Sequence, residues 1–143
     1  MESYKADFIQ FLLDKKVLLI GEFPLKSGRI SPYFLKLDAV NDGEGLIKLA
    51  EAYASTILAN IKPEDFDGIA GIPQKAHTFG PAVAIGLALK GCNKRYSSWR
   101  DKPKTYGDAT AGKSEAERRQ AEYVIGAPIP DCSRILFYWW MMS

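Results

Sequence analysis

Between residues 94 and 104 the chain carries Lys94, Arg95, Arg100, Lys102 and Lys104 against a single carboxylate, Asp101. A polar segment of this kind is suited to meet negative charge. A nucleic-acid backbone, a nucleotide triphosphate or a small phosphorylated substrate would each satisfy it. Arg95-Tyr96 and Trp99-Arg100 interleave cations with aromatic rings, as single-stranded nucleic-acid binders do. Just beyond, Gly107, Gly112, Lys113 and Ser114 fit the spacing G-x-x-x-x-G-K-S/T of a phosphate-cradling P-loop. That spacing works only where a buried strand feeds the loop and a helix leaves it, so that backbone N–H groups converge on phosphate. A helix can start at Glu115, but Lys102-Pro103-Lys104-Thr105-Tyr106 cannot form a buried strand, and no clear apolar strand ending in an Asp follows. The match therefore reads as a coincidence in a flexible loop, with a nucleotide-binding protein using residues 107–114 as the alternative.

The whole chain narrows these choices. Its 143 residues are 47% hydrophobic and 25% charged, which suits one soluble globular domain with its own core. The net charge is only +2, so the cations of residues 94–104 are a local feature, and this weakens nucleic acid as the main partner. The two cysteines, Cys92 and Cys132, form no C-x-x-C pattern, which favours a reduced, cytoplasmic chain. The first residues are acidic before any apolar run, unlike a signal peptide. No run approaches the roughly 20 apolar residues of a membrane span. His77, the single histidine, suits capping or packing better than catalysis.

The elements that must hold the cationic segment follow from periodicity. Ser3 is a candidate cap for a helix bearing Phe8, Phe11 and Leu12 on one face, and residues 17–20 then extend as a strand. Residues 21–34, punctuated by two glycines and two prolines, read as a hairpin or strand–turn–strand. From Asp42 to about Ile61 the apolar spacing predicts a long helix. Residues 67–72 have the character of a buried parallel strand, residues 79–90 of an apolar helix stopped by Gly91, and residues 96–99 of the next strand. Such a βαβ unit puts the carboxyl ends of both strands on one edge, so Lys75 and Arg100 should emerge on one rim. Residues 115–123 read as a short charged helix with Arg118 and Arg119 on a solvated face, and residues 134–136 as the start of another buried strand.

Three blocks in this order resemble the orotate phosphoribosyltransferase family, which is of the type I phosphoribosyltransferases. Leu25-Lys26-Ser27-Gly28-Arg29-Ile30-Ser31-Pro32-Tyr33-Phe34 is close to the family's N-terminal signature, although Leu35 stands where a second aromatic is frequent. Ile72-Pro73-Gln74-Lys75-Ala76 is similar to its lysine-bearing strand-ending loop, with His77 and Thr78 departing from it. Arg100-Asp101-Lys102-Pro103-Lys104-Thr105-Tyr106-Gly107-Asp108 is similar to its mobile catalytic loop, with Tyr106 in place of a histidine. The resemblance implies an α/β fold, an open parallel sheet flanked by helices, with a small N-terminal helix/strand hood over residues 1–40 and a core over 41–136. It implies transfer of phosphoribosyl from phosphoribosyl diphosphate to orotate, giving orotidine monophosphate and pyrophosphate, with Mg2+ bound alongside the diphosphate. Arg100 and Lys104 would be catalytic, and Lys26, Tyr33, Phe34, Lys75 and Tyr106 would bind substrate. Without their basic neighbours, Tyr33 and Phe34 would pass for core residues. The family's loop reaches into a neighbouring subunit, which implies a homodimer.

The family's next motif, an apolar strand ending in paired aspartates, should follow Leu136. Phe137, Tyr138, Trp139, Trp140, Met141, Met142 and Ser143 stand there instead. Read from the third base of the Phe137 codon, the codons for these residues give Leu-Leu-Val-Asp-Asp-Val if Ser143 uses a TCN codon. Trp and Met have one codon each, so most of that reading is forced. The expectation is a reading frame shifted after Leu136, an aberrant tail over 137–143, and a 143-residue chain with little or no transferase activity.

Overall fold

The computed structural model describes residues 3–71, 75–107, 114–128 and 132–137. Helix α1 (Ser3–Asp14) leads into strands β1 (Leu18–Pro24) and β2 (Ile30–Leu35), an antiparallel hairpin forming its own two-stranded sheet. Its turn is closed by Leu25 N–H to the Arg29 carbonyl and Gly28 N–H to the Leu25 carbonyl, each 2.9 Å. Helix α2 (Gly43–Asn60) follows, then β3 (Gly68–Gly71), α3 (Lys75–Leu89) and β4 (Arg95–Trp99). After the cationic segment come α4 (Glu115–Tyr123), β5 (Val124–Gly126) and β6 (Ile135–Phe137).

The main sheet has the order β5-β4-β3-β6. β3 pairs in parallel with both β4 and β6, so all three carboxyl ends share one edge, as the βαβ reading requires. β5 departs from the expected parallel sheet. It runs antiparallel to β4, with Trp99 opposite Val124 and Ser97 opposite Gly126. Three residues carry no usable periodicity, and this strand exists because β4 offers it a partner. Gly126 makes the fit possible: it sits at φ 97°, and a Cβ there would lie 2.5 Å from the Tyr96 carbonyl oxygen.

α3 begins at Lys75, four residues before the expected start, and runs through Pro81, which forgoes one backbone hydrogen bond. Burial outweighs that loss, because Phe79, Val83 and Leu87 are all within the core. The same core holds Val17, Leu49, Ile57, Phe66 and Ile69. α3 lies against β3 and β4, α2 packs on α3, and α1 packs on α2. The α2–α3 approach is close enough that a Cβ on Gly86 would fall 2.5 Å from the Ala50 carbonyl oxygen.

α2 starts where its cap was expected. An Asp42 carboxylate oxygen accepts from Gly45 N–H at 2.7 Å, and the other accepts from Lys15 Nζ at 2.7 Å, tying the end of α1 to the start of α2. Lys15, then the Gly45 N–H, holds the Asp42 carboxyl below its ordinary range. Asp67, bonded to Arg134 Nε at 2.7 Å, is lowered in the same way. A carboxyl whose folded pKa lies below its unfolded one adds stability above the unfolded value and loses it as pH falls through the folded one. Acidification below about pH 4 should therefore lower the melting temperature, and Asp42→Asn should flatten that decline. An acid limb identical in the variant, followed by circular dichroism, would refute the link.

Candidate active site

β4 delivers Arg100 at the carboxyl edge of the sheet, and the chain then leaves the sheet for residues 101–107. The base of this excursion is fastened to α4: Arg100 N–H donates to the Tyr123 carbonyl at 2.7 Å and Lys104 N–H to the Glu122 carbonyl at 2.9 Å. The Arg100 and Lys104 side chains line one cavity of about 420 Å³, whose other walls are Glu117, Gln120 and Ala121 of α4, β5, and Pro128. The Nε of Arg100 is buried and has no hydrogen-bond partner among the described residues. A buried guanidinium N–H is costly to leave unmatched, and an anion in the cavity would match it once the side chain turned its Nε toward the cavity.

The other expected site residues are distributed around this feature. Lys104 Nζ stands 5.6 Å from the Tyr106 ring centroid, a cation–π distance, while Tyr106 itself is 72% exposed. Lys75 opens α3 just beyond β3, so its backbone lies past the same sheet edge as Arg100. Lys26 sits exposed in the hairpin turn, and Tyr33 and Phe34 are exposed on β2, where the Phe34 ring meets Phe23 at 5.6 Å between centroids. These three residues belong to the separate hairpin and do not line the Arg100 cavity. Tyr33 and Phe34 are thus not core residues in this chain. The P-loop spacing falls mainly on residues 108–113, and with Asp108, Lys113 and residues 138–143 it lies outside the described residues.

Sequence reasoning missed the α4 wall. Ser114 and Glu117 form a capping box, with Ser114 N–H donating to Glu117 Oε2 at 2.8 Å and Ser114 Oγ taking the N–H of Glu117. Residues one turn apart share a helix face, so a cap that places Glu117 also places Gln120 and Ala121 along one stripe. The S-x-x-E spacing before residues 117–121 was the available signal. On β4, burial pushes the Tyr96 phenol up, against the hydrogen bond from Ser98, so it stays neutral where its ring packs over Gly80.

No protein-family model matches the chain. It is 42% identical over 109 residues to orotate phosphoribosyltransferase of Haemophilus ducreyi, covering 76% of this chain and 50% of the relative. It is 37% identical over 126 residues to that of Agathobacter rectalis, covering 87% and 55%. Among solved structures, orotate phosphoribosyltransferase of Francisella tularensis superposes with a TM-score of 0.63 at 32% identity, over 87% of this chain and 50% of the other. An orotate phosphoribosyltransferase from Mycobacterium tuberculosis shares the fold, with a TM-score of 0.58 at 15% identity. The chain spans about half the length of the curated relatives it matches.

Proposed function

We propose that this chain, a member of the orotate phosphoribosyltransferase family across the residues it shares with those relatives, supplies the lid and part of the substrate site for phosphoribosyl transfer to orotate. The observation that carries this reading is the cavity in which Arg100, with its unmatched Nε, and Lys104 converge. Displacing pyrophosphate from the sugar carbon leaves negative charge on the departing group and positive charge on the sugar. Cations already aimed at the diphosphate favour that transition state over the ground state. A lid closed over the donor also keeps water from hydrolysing it. Lys26 and Lys75 would add charge around the diphosphate, while Tyr33, Phe34 and Tyr106 would serve the base.

Among the described residues no group of three or more His, Cys, Asp or Glu could hold a metal ion. Magnesium prefers phosphate oxygens with one or two carboxylates, so in this reading it travels with the donor. A homodimer also belongs to the reading. Its support is the apolar groove between α2 and α3, where Ile47, Ile85 and Leu89 are 58, 59 and 81% exposed.

The shifted frame after Leu136 is part of the same proposal. β6 runs parallel to β3, so its carboxyl end lies on the edge that bears Arg100, where paired aspartates would be useful. The nucleotide sequence tests this, and codons that do not run on in the neighbouring frame refute it. Activity is read as loss of orotate absorbance with phosphoribosyl diphosphate and magnesium, using the chain continued in that frame. Absorbance that stays constant with a folded protein would overturn the assignment.

A further inference from the structure

α4 places the exposed Glu117 on the wall of a cavity otherwise charged by Arg100 and Lys104, and this bears on which form of an anion the cavity takes. With Glu117 counted, its formal charge is one positive instead of two. The carboxylate is held in place: Glu117 Oε2 accepts from Ser114 Oγ at 2.7 Å as well as from the Ser114 backbone. α4 cannot drift from the lid base, because its last turn accepts the Arg100 and Lys104 backbone N–H groups. The unmatched Arg100 Nε still calls for an anionic ligand.

We propose that Glu117 is a specificity residue which makes this cavity prefer a diphosphate carrying a divalent cation over the bare diphosphate. A bare diphosphate brings its oxygens toward the Glu117 carboxylate and is repelled. A diphosphate with bound magnesium presents a cation that one carboxylate can face, directly or through its water. The inference rests on the diphosphate reading of Arg100 and Lys104, and assigns α4 a part in it.

Titration calorimetry with inorganic pyrophosphate, with and without magnesium, separates the two ideas. The wild-type chain should bind the magnesium form more tightly. Glu117→Gln should tighten binding of the bare form by roughly tenfold and so narrow or abolish the preference, while a glutamine retains the capping box and leaves the helix intact. Glu115→Gln removes a charge from the same turn, but Glu115 pairs with Arg119 at 3.1 Å and does not line the cavity. It should leave the preference unchanged. An unaltered preference in Glu117→Gln, or an equal change in Glu115→Gln, overturns the role of Glu117 alone. A wild-type chain that binds neither form overturns the diphosphate reading and this inference with it.

Discussion

Replacing Lys104 by alanine in the chain continued past Leu136 in the neighbouring frame is expected to lower kcat/KM for the proposed phosphoribosyl transfer by about 10²–10³-fold, the usual cost of removing one donor aimed at developing negative charge. Lys104 is partly exposed, and its side chain meets Tyr106 and the lid cavity, not the core, so the variant should fold normally. The loss should appear mainly in kcat if the ammonium acts on the departing pyrophosphate, and in KM if it only gathers substrate. Arg100→Lys should be nearly as damaging as Arg100→Ala. A lysine has no Nε N–H and no planar fork with which to meet the anion that the buried Nε calls for. Steady-state rates within threefold of wild type for Lys104→Ala would remove this residue from the chemistry.

The second large effect concerns assembly. Ile85→Lys or Leu89→Glu places a charge in the apolar groove between α2 and α3, whose lining includes Leu46, Ile47, Ala50 and Ala82. If a second copy covers this face, burying an unpaired charge costs several kcal/mol, and the dimer dissociation constant should rise by at least ~10²-fold. Both side chains are exposed within one chain, so the stability of the monomer should change by no more than about 0.5 kcal/mol. Analytical ultracentrifugation distinguishes the cases. An unchanged dimer in both variants would move the interface elsewhere, and a monomeric wild-type chain would remove it.

Much of the framework was legible because it follows from local rules. Asp42 announced α2 through its capping chemistry, and the apolar run at residues 67–72 before a helix announced β3 and the parallel pair. Residues 115–123 were delimited correctly by their charge. The early start of α3 was hidden, because Pro81 argues locally against a helix that tertiary burial of Phe79, Val83 and Leu87 then enforces. β5 was hidden for a related reason: its existence depends on β4, some 25 residues earlier, and on a glycine that can sit against Tyr96. At the site, the sequence reading named Arg100 and Lys104, which line one cavity. Glu117 and Gln120 escaped it because a charged helix reads as solvated on every side until the strand and loop that share its cavity are known. The hairpin residues Lys26, Tyr33 and Phe34 form a separate feature, which single-chain periodicity had no means to place.

The antiparallel pairing of β4 with β5 has a further consequence for how this molecule can change. It clasps residues 99 and 124 together, so everything between them forms a loop whose ends are already joined. The entropy of closing such a loop grows only slowly, by about 0.6 kcal/mol for each doubling of its length. Segments can therefore be added to or removed from the free part of this loop at little thermodynamic expense to β3 and the core beneath it. The clasp lets the loop that carries Arg100 and Lys104 vary in length while the sheet that aims it stays the same.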